Sequence, residues 1–164
     1  MAIASTDIKI RLSGGSSNTD PNAALGGAAS STDASSTIFD NVSSAEALAG
    51  DLEYRCIYVK NNHGSLTYTS PKIWIQSNTP SGDTTWDIGL GTSAINGTEQ
   101  TVTDENTAPS GVTFSAPTNL AGGLSLGDLA PGATKAVWAR RTVTAVAAAA
   151  NDGATLRVQG DTLP

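Results

Sequence analysis

The first patterned stretch of the chain is DIKIRL at positions 7–12, where apolar and charged residues alternate strictly. In an extended chain, the side chains of Ile8, Ile10 and Leu12 fall on one side and the charged side chains fall on the other. Alternation of this kind indicates a strand with one buried face. We therefore predict a β-strand over 7–12.

The strongest strand pattern follows at 52–60, LEYRCIYVK, which is dense in aromatic and β-branched residues and ends at the turn-forming sequence NNHG. Alternation places Tyr54, Cys56 and Tyr58 on one face. The opposite face carries a second apolar set that begins at Ile57. Because both faces are apolar, we predict a strand in the centre of a sheet.

Two further strands are predicted in the middle of the chain, KIWIQ at 72–76 and TWDIGL at 85–90. The turn-forming run NTPSG at 78–82 separates them, and strands joined by a short turn commonly pair as a hairpin. We predict a hairpin here. Short strands are also predicted at 101–103 and 111–115.

The last third of the chain carries the most regular alternation. A strand pattern over 124–129 stops at the Pro-Gly turn of 130–132, and a longer one follows at 134–143. The alternating stretch at 154–160 predicts a final strand. Between them lies the alanine-rich tract 144–151, whose composition favours a helical turn.

A long stretch without large apolar side chains follows the first strand. Residues 13–36 are rich in Gly, Ser, Ala and Asn, and the stretch is too long for an ordinary connection within a compact domain. We expect an extended arm, mobile in the free protein, that becomes ordered on a partner. The next segment, 37–51, is predicted to hold a short helix, because Ser43 and Glu46 have the spacing of a capping box.

Many short strands at regular spacing, with little helix, are typical of two packed sheets. The sequence therefore predicts an all-β protein, a single immunoglobulin-like or jelly-roll-like β-sandwich with a long N-terminal arm and at most one short helix. The corresponding division is an N-terminal strand and extended arm over 1–36 and a β-sandwich domain over 37–164. A length of 164 residues suits one such domain.

Composition and charge narrow the range of partners. Charged residues make up 15% of the chain, against about a quarter in an average soluble domain. The net charge of −6 opposes binding to nucleic acid, which needs clustered Lys and Arg. No apolar run reaches the roughly 18 residues of a membrane span, so we expect neither nucleic acid nor membrane as a partner. The N-terminal residues lack the pattern of a signal peptide, and we expect synthesis in a cytoplasm.

The inventory of reactive side chains is thin. The single histidine, His63, lies in a turn sequence, and the single cysteine, Cys56, lies in a predicted strand, where burial is its commonest state. The carboxylates are scattered without the spacing of a metal site, and the glycine doublets lack the strand and helix that flank a phosphate-binding loop. We predict no catalytic residue, no metal and no cofactor, and hence a protein that is not an enzyme.

Two groups of residues remain as candidate binding elements. Arg140 and Arg141 form the only basic pair, and alternation turns one of them away from the face that carries Trp138. We interpret the pair as charges at an interface or beside carboxylates. We interpret Trp74 and Trp86 as core or interface residues, and the alternative is that they form a stacking platform for sugars.

Three further segments of the chain carry recognisable sequence motifs. They are LSLGDLAPG at 124–132 followed by AVWARR at 136–141, the segment 41–50 leading into EYRCIYVKN at 53–61, and TAPSGVTFS at 107–115. In these segments, which span most of 37–143, the chain resembles small virion structural proteins of tailed bacteriophages. The resemblance implies an immunoglobulin-like or related β-sandwich in which 124–129 and 134–143 are partner strands across the Pro-Gly turn.

The resemblance favours a non-enzymatic structural role. We expect a capsid decoration, or cement, protein that is made in the host cytoplasm, binds the head surface of the virion and forms a homo-oligomer there. It would bridge and stabilise subunits of the major capsid protein, with the arm as the bridging element. Two alternatives stay open: an immunoglobulin-like module of the tail, baseplate or fibre, and a carbohydrate-binding or adhesin domain. The candidate partner-binding residues are Ile8, Ile10, Leu12, Pro21, Leu25, Arg140 and Arg141.

Overall fold

A computed structural model describes residues 2–78, 83–145 and 153–162 of the chain. In these residues two antiparallel sheets pack against each other, which confirms the predicted all-β sandwich. One sheet has four strands in the order β1-β2-β6-β4, and the other has three in the order β5-β3-β7, with the following bounds. The elements are β1 (Ile8–Leu12), α1 (Ser44–Ala49), β2 (Asp51–Asn61), β3 (Tyr68–Asn78), β4 (Thr84–Leu90), β5 (Leu124–Ser125), β6 (Thr134–Val143) and β7 (Ala154–Thr162).

The main core lies between the two sheets. Ile57 and Val59 of β2 pack in one cluster with Ile73 and Ile75 of β3, and all four side chains are buried. Burying an aliphatic side chain of this size stabilises a fold by roughly 1.5–3 kcal/mol. Burial of these side chains in one common core therefore holds the two sheets together.

The four-stranded sheet is buried on its outer face as well. Cys56 and Tyr58 of β2 and Trp138 of β6 are almost fully buried there, under side chains from the segments 13–36 and 91–115. β2 lies between β1 and β6. The prediction of a central strand with two apolar faces is confirmed, and the second face is covered by loops rather than by another sheet.

Residues 13–36 fold back onto the four-stranded sheet, so the prediction of an extended arm is wrong. The backbone N–H of Ala34 donates to the carbonyl oxygen of Ile10 at 2.7 Å, alongside β1. Beyond the end of β1, the carbonyl oxygen of Ala24 accepts from the N–H of Cys56 at 2.7 Å. Small side chains let this backbone lie close to the sheet, and its hydrogen bonds replace the large apolar side chains that the segment lacks.

One glycine makes this close approach possible. Gly26 has a φ of +100°, and a Cβ atom at this position would lie 1.8 Å from the carbonyl oxygen of Gln100. Its N–H donates to Oγ of Ser13 at 3.1 Å, and its carbonyl oxygen accepts from the N–H of Gly14 at 2.7 Å. The left-handed backbone and the lack of space both require glycine.

The predicted helix is confirmed as α1, with its capping box in place. Oγ of Ser43 accepts from the N–H of Glu46 at 3.3 Å, and the Glu46 carboxylate accepts from the N–H of Ser43 at 2.5 Å. Gly50 ends the helix with a φ of +79°. In the described ranges, no helix has the length and hydropathy that a membrane crossing needs.

Strand pairing differs from the prediction in two places. β3 and β4 do not form a hairpin, because β3 pairs with β7 and β4 pairs with β6. β5 pairs with β3 and not with β6, although the Pro-Gly turn is present, with the N–H of Ala133 donating to Ala130 at 2.9 Å. Alternation specifies which face of a strand is buried but not which strand lies beside it.

The short strands predicted at 101–103 and 111–115 do not form, since these residues belong to the loops that cover the outer face. Only Ser115 makes a bridge of strand type there, to Ile88.

The strands predicted at 7–12, 52–60 and 154–160 are confirmed. The turn predicted at 78–82 and the helical turn predicted at 144–151 lie largely outside the described residues.

Candidate partner-binding groove

The sandwich is open along the side formed by β1 and β7. Ile8 and Ile10 of β1 and Leu156 and Val158 of β7 pack against the core but remain only partly buried. Cavities of about 530 Å³ and 600 Å³ lie along this side, and both are lined by Ile10 and Leu156. We call this depression, with the four side chains that line it, the β1–β7 groove, and the two cavities are its ends.

Two aromatic rings line the first end of the groove. The ring centroids of Phe39 and Trp86 are 4.8 Å apart, and the rings meet edge to face at 85°. Trp86 belongs to β4, and Phe39 precedes α1, so this wall joins two separate parts of the chain. Edge-to-face packing of buried rings gives the wall a fixed shape.

Arg141 of β6 lines the same end and binds a buried carboxylate. Its guanidinium donates to both oxygens of Glu53, with Nη2 at 2.7 Å from Oε1, and lies 4.9 Å from the centroid of the Phe39 ring. Burial raises the pKa of Glu53 above its usual value, against the opposing effect of the hydrogen bond from Arg141. The pair is bidentate and largely removed from water.

A second buried arginine extends this charged cluster. Arg55 of β2 donates to the carboxylate of Glu105, and its guanidinium lies 5.3 Å from the Phe39 centroid. Oδ1 of Asp40 lies 3.9 Å from Nη2 of Arg55 and 3.8 Å from Nη2 of Arg141. The three carboxylates of the cluster have oxygens within 4.8 Å of one another, but the two guanidinium groups already balance most of their charge. We therefore interpret the cluster as an ion-pair network around Phe39 rather than as a metal site.

The second end of the groove is formed by the N-terminal residues and the far end of β7. Ile3 lines it, and the N–H of Ile3 donates to Oγ1 of Thr162 at 3.2 Å. Tyr68 of β3 and Gly160 of β7 also line this end. The groove thus combines apolar side chains with strand backbone, which suits an extended peptide segment.

Of the seven predicted contact residues, Ile8, Ile10 and Arg141 line the groove. Leu12 is 1% exposed and lies in the interior. Pro21 begins a single 3-10 turn, and Leu25 packs on the outer face of the four-stranded sheet. The predicted residues therefore do not form one surface.

Arg140 and Arg141 both lie beside carboxylates, as one of the two interpretations of the pair stated. Nε and Nη2 of Arg140 donate to Oδ2 of Asp87 at 3.0 and 2.6 Å. The two side chains leave β6 on opposite faces of the sheet. Arg140 lies against Phe114 of the outer loops, whereas Arg141 lines the groove. This confirms the alternation predicted for the pair.

Sequence reasoning missed Phe39 and the β7 side of the groove. The alternation at 154–160 already placed Leu156 and Val158 on one face, and that was the available signal. Their partial exposure was not visible in the pattern, because it results from the gap between two strands that lie at opposite ends of the chain.

The reactive side chains singled out by the sequence have local roles. Nδ1 of His63 accepts from the N–H groups of Ser65 and Leu66 at 3.1 and 3.0 Å, which stabilises a turn. Cys56 is fully buried, and burial raises the pKa of its thiol. A thiol held in this form is a poor nucleophile.

No protein-family model matches this chain, and neither does any curated protein or solved structure. The groove and the residues around it are therefore the basis for a functional proposal.

Proposed function

We propose that this protein is a non-enzymatic structural protein of a tailed-phage virion, and that it is a capsid decoration protein that bridges and stabilises major capsid subunits. The observation that carries the proposal is the β1–β7 groove, where two strands leave apolar side chains partly exposed. The sequence resemblance to small virion proteins is what suggests the kind of particle.

The groove suits binding without turnover. An extended segment of a capsid subunit would bury the apolar side chains of the groove, at roughly 25 cal/mol for each Å² removed from water. A protein that binds the assembled shell and not its free subunits shifts the equilibrium toward the shell by mass action.

The low charge of the chain supports this role. Charged residues make up 15% of it, and the arginines Arg55, Arg140 and Arg141 are paired within the protein. Few charges would have to lose water at a contact with a neighbouring subunit, which lowers the cost of packing copies side by side.

The tryptophans do not favour the carbohydrate-binding alternative. Trp74, Trp86 and Trp138 are 6%, 8% and 0% exposed. Sugar recognition by stacking needs the face of a ring in contact with solvent, and these rings are used in packing.

Mass spectrometry of purified heads and purified tails from the phage that encodes the chain tests the proposal. We expect the protein on heads, in a copy number comparable to that of the major capsid protein. A few copies confined to tails would contradict the proposal and support the tail-associated module instead.

A pair of variants tests the groove itself. Val158→Lys places a charge in the groove, and we expect this variant to lose binding to heads that lack the protein. Thr155→Lys adds the same charge to the exposed side of the same strand and should bind like the wild type. If both variants bind equally well, the groove is not the capsid contact.

A further inference from the structure

The outer edge of β7 is the longest strand edge left unpaired in the described part of the chain. β7 spans nine residues, Ala154–Thr162, and within the described ranges its backbone pairs with β3 alone. The edge of β1 is covered by the bond from Ala34 to Ile10, and the edge of β4 by reciprocal bonds between Ile88 and Ser115 at 2.8 and 3.0 Å. An uncovered edge of this length is a template for another strand.

β7 is also regular along its whole length. Exposed and partly buried side chains alternate without interruption from its first residue to its last. Its pairing with β3 has two irregularities, between Thr69 and Lys72 and between Ile75 and Ser77, and each adds the extra residue to β3. A strand without bulges can accept a partner along its full edge.

The exposed side of β7 carries opposite charges placed symmetrically about a neutral residue. Arg157, Gln159 and Asp161 are all exposed, and the two charged residues lie two positions to either side of Gln159. The guanidinium of Arg157 lies 5.9 Å from the centroid of the Trp74 ring on β3, on the same face of the sheet. Thus one stretch of strand presents both a positive and a negative side chain.

This arrangement is self-complementary for an antiparallel pair. If a two-fold axis passes beside Gln159, Arg157 of each copy lies opposite Asp161 of the other, and two ion pairs form. Directly opposed side chains in antiparallel strands are close enough to interact, and opposite charges stabilise the pair. An axis at Arg157 or at Asp161 would instead bring like charges together.

We propose that two copies of this chain associate through β7, antiparallel, with Gln159 at the two-fold axis, so that their three-stranded sheets form one continuous sheet. A two-fold interface uses the same patch from both copies, and β7 meets that requirement. The proposal rests on β7 alone and not on the location of the protein in a virion, so the two proposals fail independently.

Sedimentation of the full-length protein over a range of concentrations tests the dimer. Asp161→Lys places a positive charge opposite Arg157 and keeps the Arg157 contact with Trp74, and we expect it to raise the dimer dissociation constant about tenfold. Adding Arg157→Glu to this variant restores opposite charges and should restore the dimer. Unfolding midpoints of the variants establish that they are folded.

A cysteine scan tests the register. Gln159→Cys should give a disulfide-linked dimer on mild oxidation, because facing residues of antiparallel strands lie within disulfide range. Thr155→Cys lies away from the axis and should not crosslink, and the native Cys56 is buried and does not compete. A wild type that is monomeric at every concentration would overturn the proposal. So would a dimer that neither responds to Asp161→Lys nor crosslinks through position 159.

Discussion

The hydroxyl of Tyr58 donates a hydrogen bond to the carbonyl oxygen of Gly27 at 2.6 Å. The same hydroxyl accepts from the N–H of Glu99 at 3.0 Å. A central strand is thereby tied to both loop segments that cover the outer face of its sheet. Burial raises the pKa of Tyr58 to about 12, so the hydroxyl keeps the proton that it donates to Gly27.

Gly26, next to this contact, lies where residues 13–36 approach the backbone of Gln100. Gly26→Ala forces a Cβ atom against the backbone of Gln100, and we expect a loss of more than about 2 kcal/mol in the free energy of unfolding. Limited proteolysis should then cut first within 13–36, whereas the wild type should resist cleavage there.

Gly15→Ala is the matched control for Gly26→Ala. Gly15 has a similar φ, +101°, but no atom lies within 4 Å of its Cβ position. The Gly15→Ala variant should therefore lose only the stability that a left-handed backbone costs a residue with a Cβ atom, about 1–2 kcal/mol. Equal proteolysis of the two variants would show that the close approach to Gln100 does not hold the segment.

The Glu53–Arg141 pair should dominate the stability of the groove end. Arg141→Met leaves the Glu53 carboxylate buried without its partner, and we expect a loss of about 3–5 kcal/mol, measured by urea denaturation. Arg140→Met removes the neighbouring arginine, whose pair with Asp87 is partly exposed, and should cost about 1 kcal/mol or less. Equal losses in the two variants would contradict the role of burial. Adding Glu53→Gln to Arg141→Met should recover part of the loss.

The positions of the long strands were predictable from the sequence, but the short strands predicted at 101–103 and 111–115 do not form and the one predicted at 124–129 is reduced to Leu124–Ser125. Strand partners were not predictable. Alternation is a local property, so the pattern at 52–60 correctly indicated a strand with two apolar faces. Pairing depends on contacts between distant residues. β3 and β4 follow one another in the chain, and yet they belong to different sheets.

Residues 13–36 show a second limit of the sequence pattern. Their lack of large apolar side chains indicated an arm, but backbone bonds such as the one between Ala24 and Cys56 hold them on the sheet. Hydrogen bonds of the backbone leave little trace in composition. Of the four side chains that define the groove, only Ile8 and Ile10 were predicted as contact residues, because alternation within one strand identifies them. The gap beside them lies between distant strands, and no local pattern indicates it.

Glu99 should make the stability of the protein depend on pH. It is 2% exposed. Burial would raise its pKa, but hydrogen bonds from Ser93 and Thr92 outweigh this effect and lower the pKa to about 2. Because the pKa in the folded state lies below the usual value of 4.5, the ionised form stabilises the fold above about pH 4.5. That contribution is lost as the pH falls from 4.5 toward 2.

Glu99→Gln isolates this contribution. We expect the variant to lose on the order of 2 kcal/mol at neutral pH, and the difference from the wild type to shrink toward pH 2, as measured by denaturant unfolding at several pH values. Glu46→Gln is the control, since glutamine also completes a capping box, and it should lie within about 0.5 kcal/mol of the wild type. A difference for Glu99→Gln that does not change with pH would contradict the assignment.

The buried tryptophans predict a specific fluorescence behaviour. Because Trp74, Trp86 and Trp138 are at most 8% exposed, the native protein should show blue-shifted emission that shifts to the red on unfolding. Oligosaccharides should leave the emission of the folded protein unchanged. Quenching that saturates with a glycan would revive the carbohydrate-binding alternative.

The pairing of strands from opposite halves of the chain governs when the protein can fold. β2 takes its long partner β6, and β3 takes β7, from the second half of the sequence. During synthesis, neither sheet can be completed until the last third of the chain has left the ribosome. Contacts of such long range also make folding slow. Nascent chains therefore expose their apolar strands for most of translation, so chaperones can bind them before either sheet is complete.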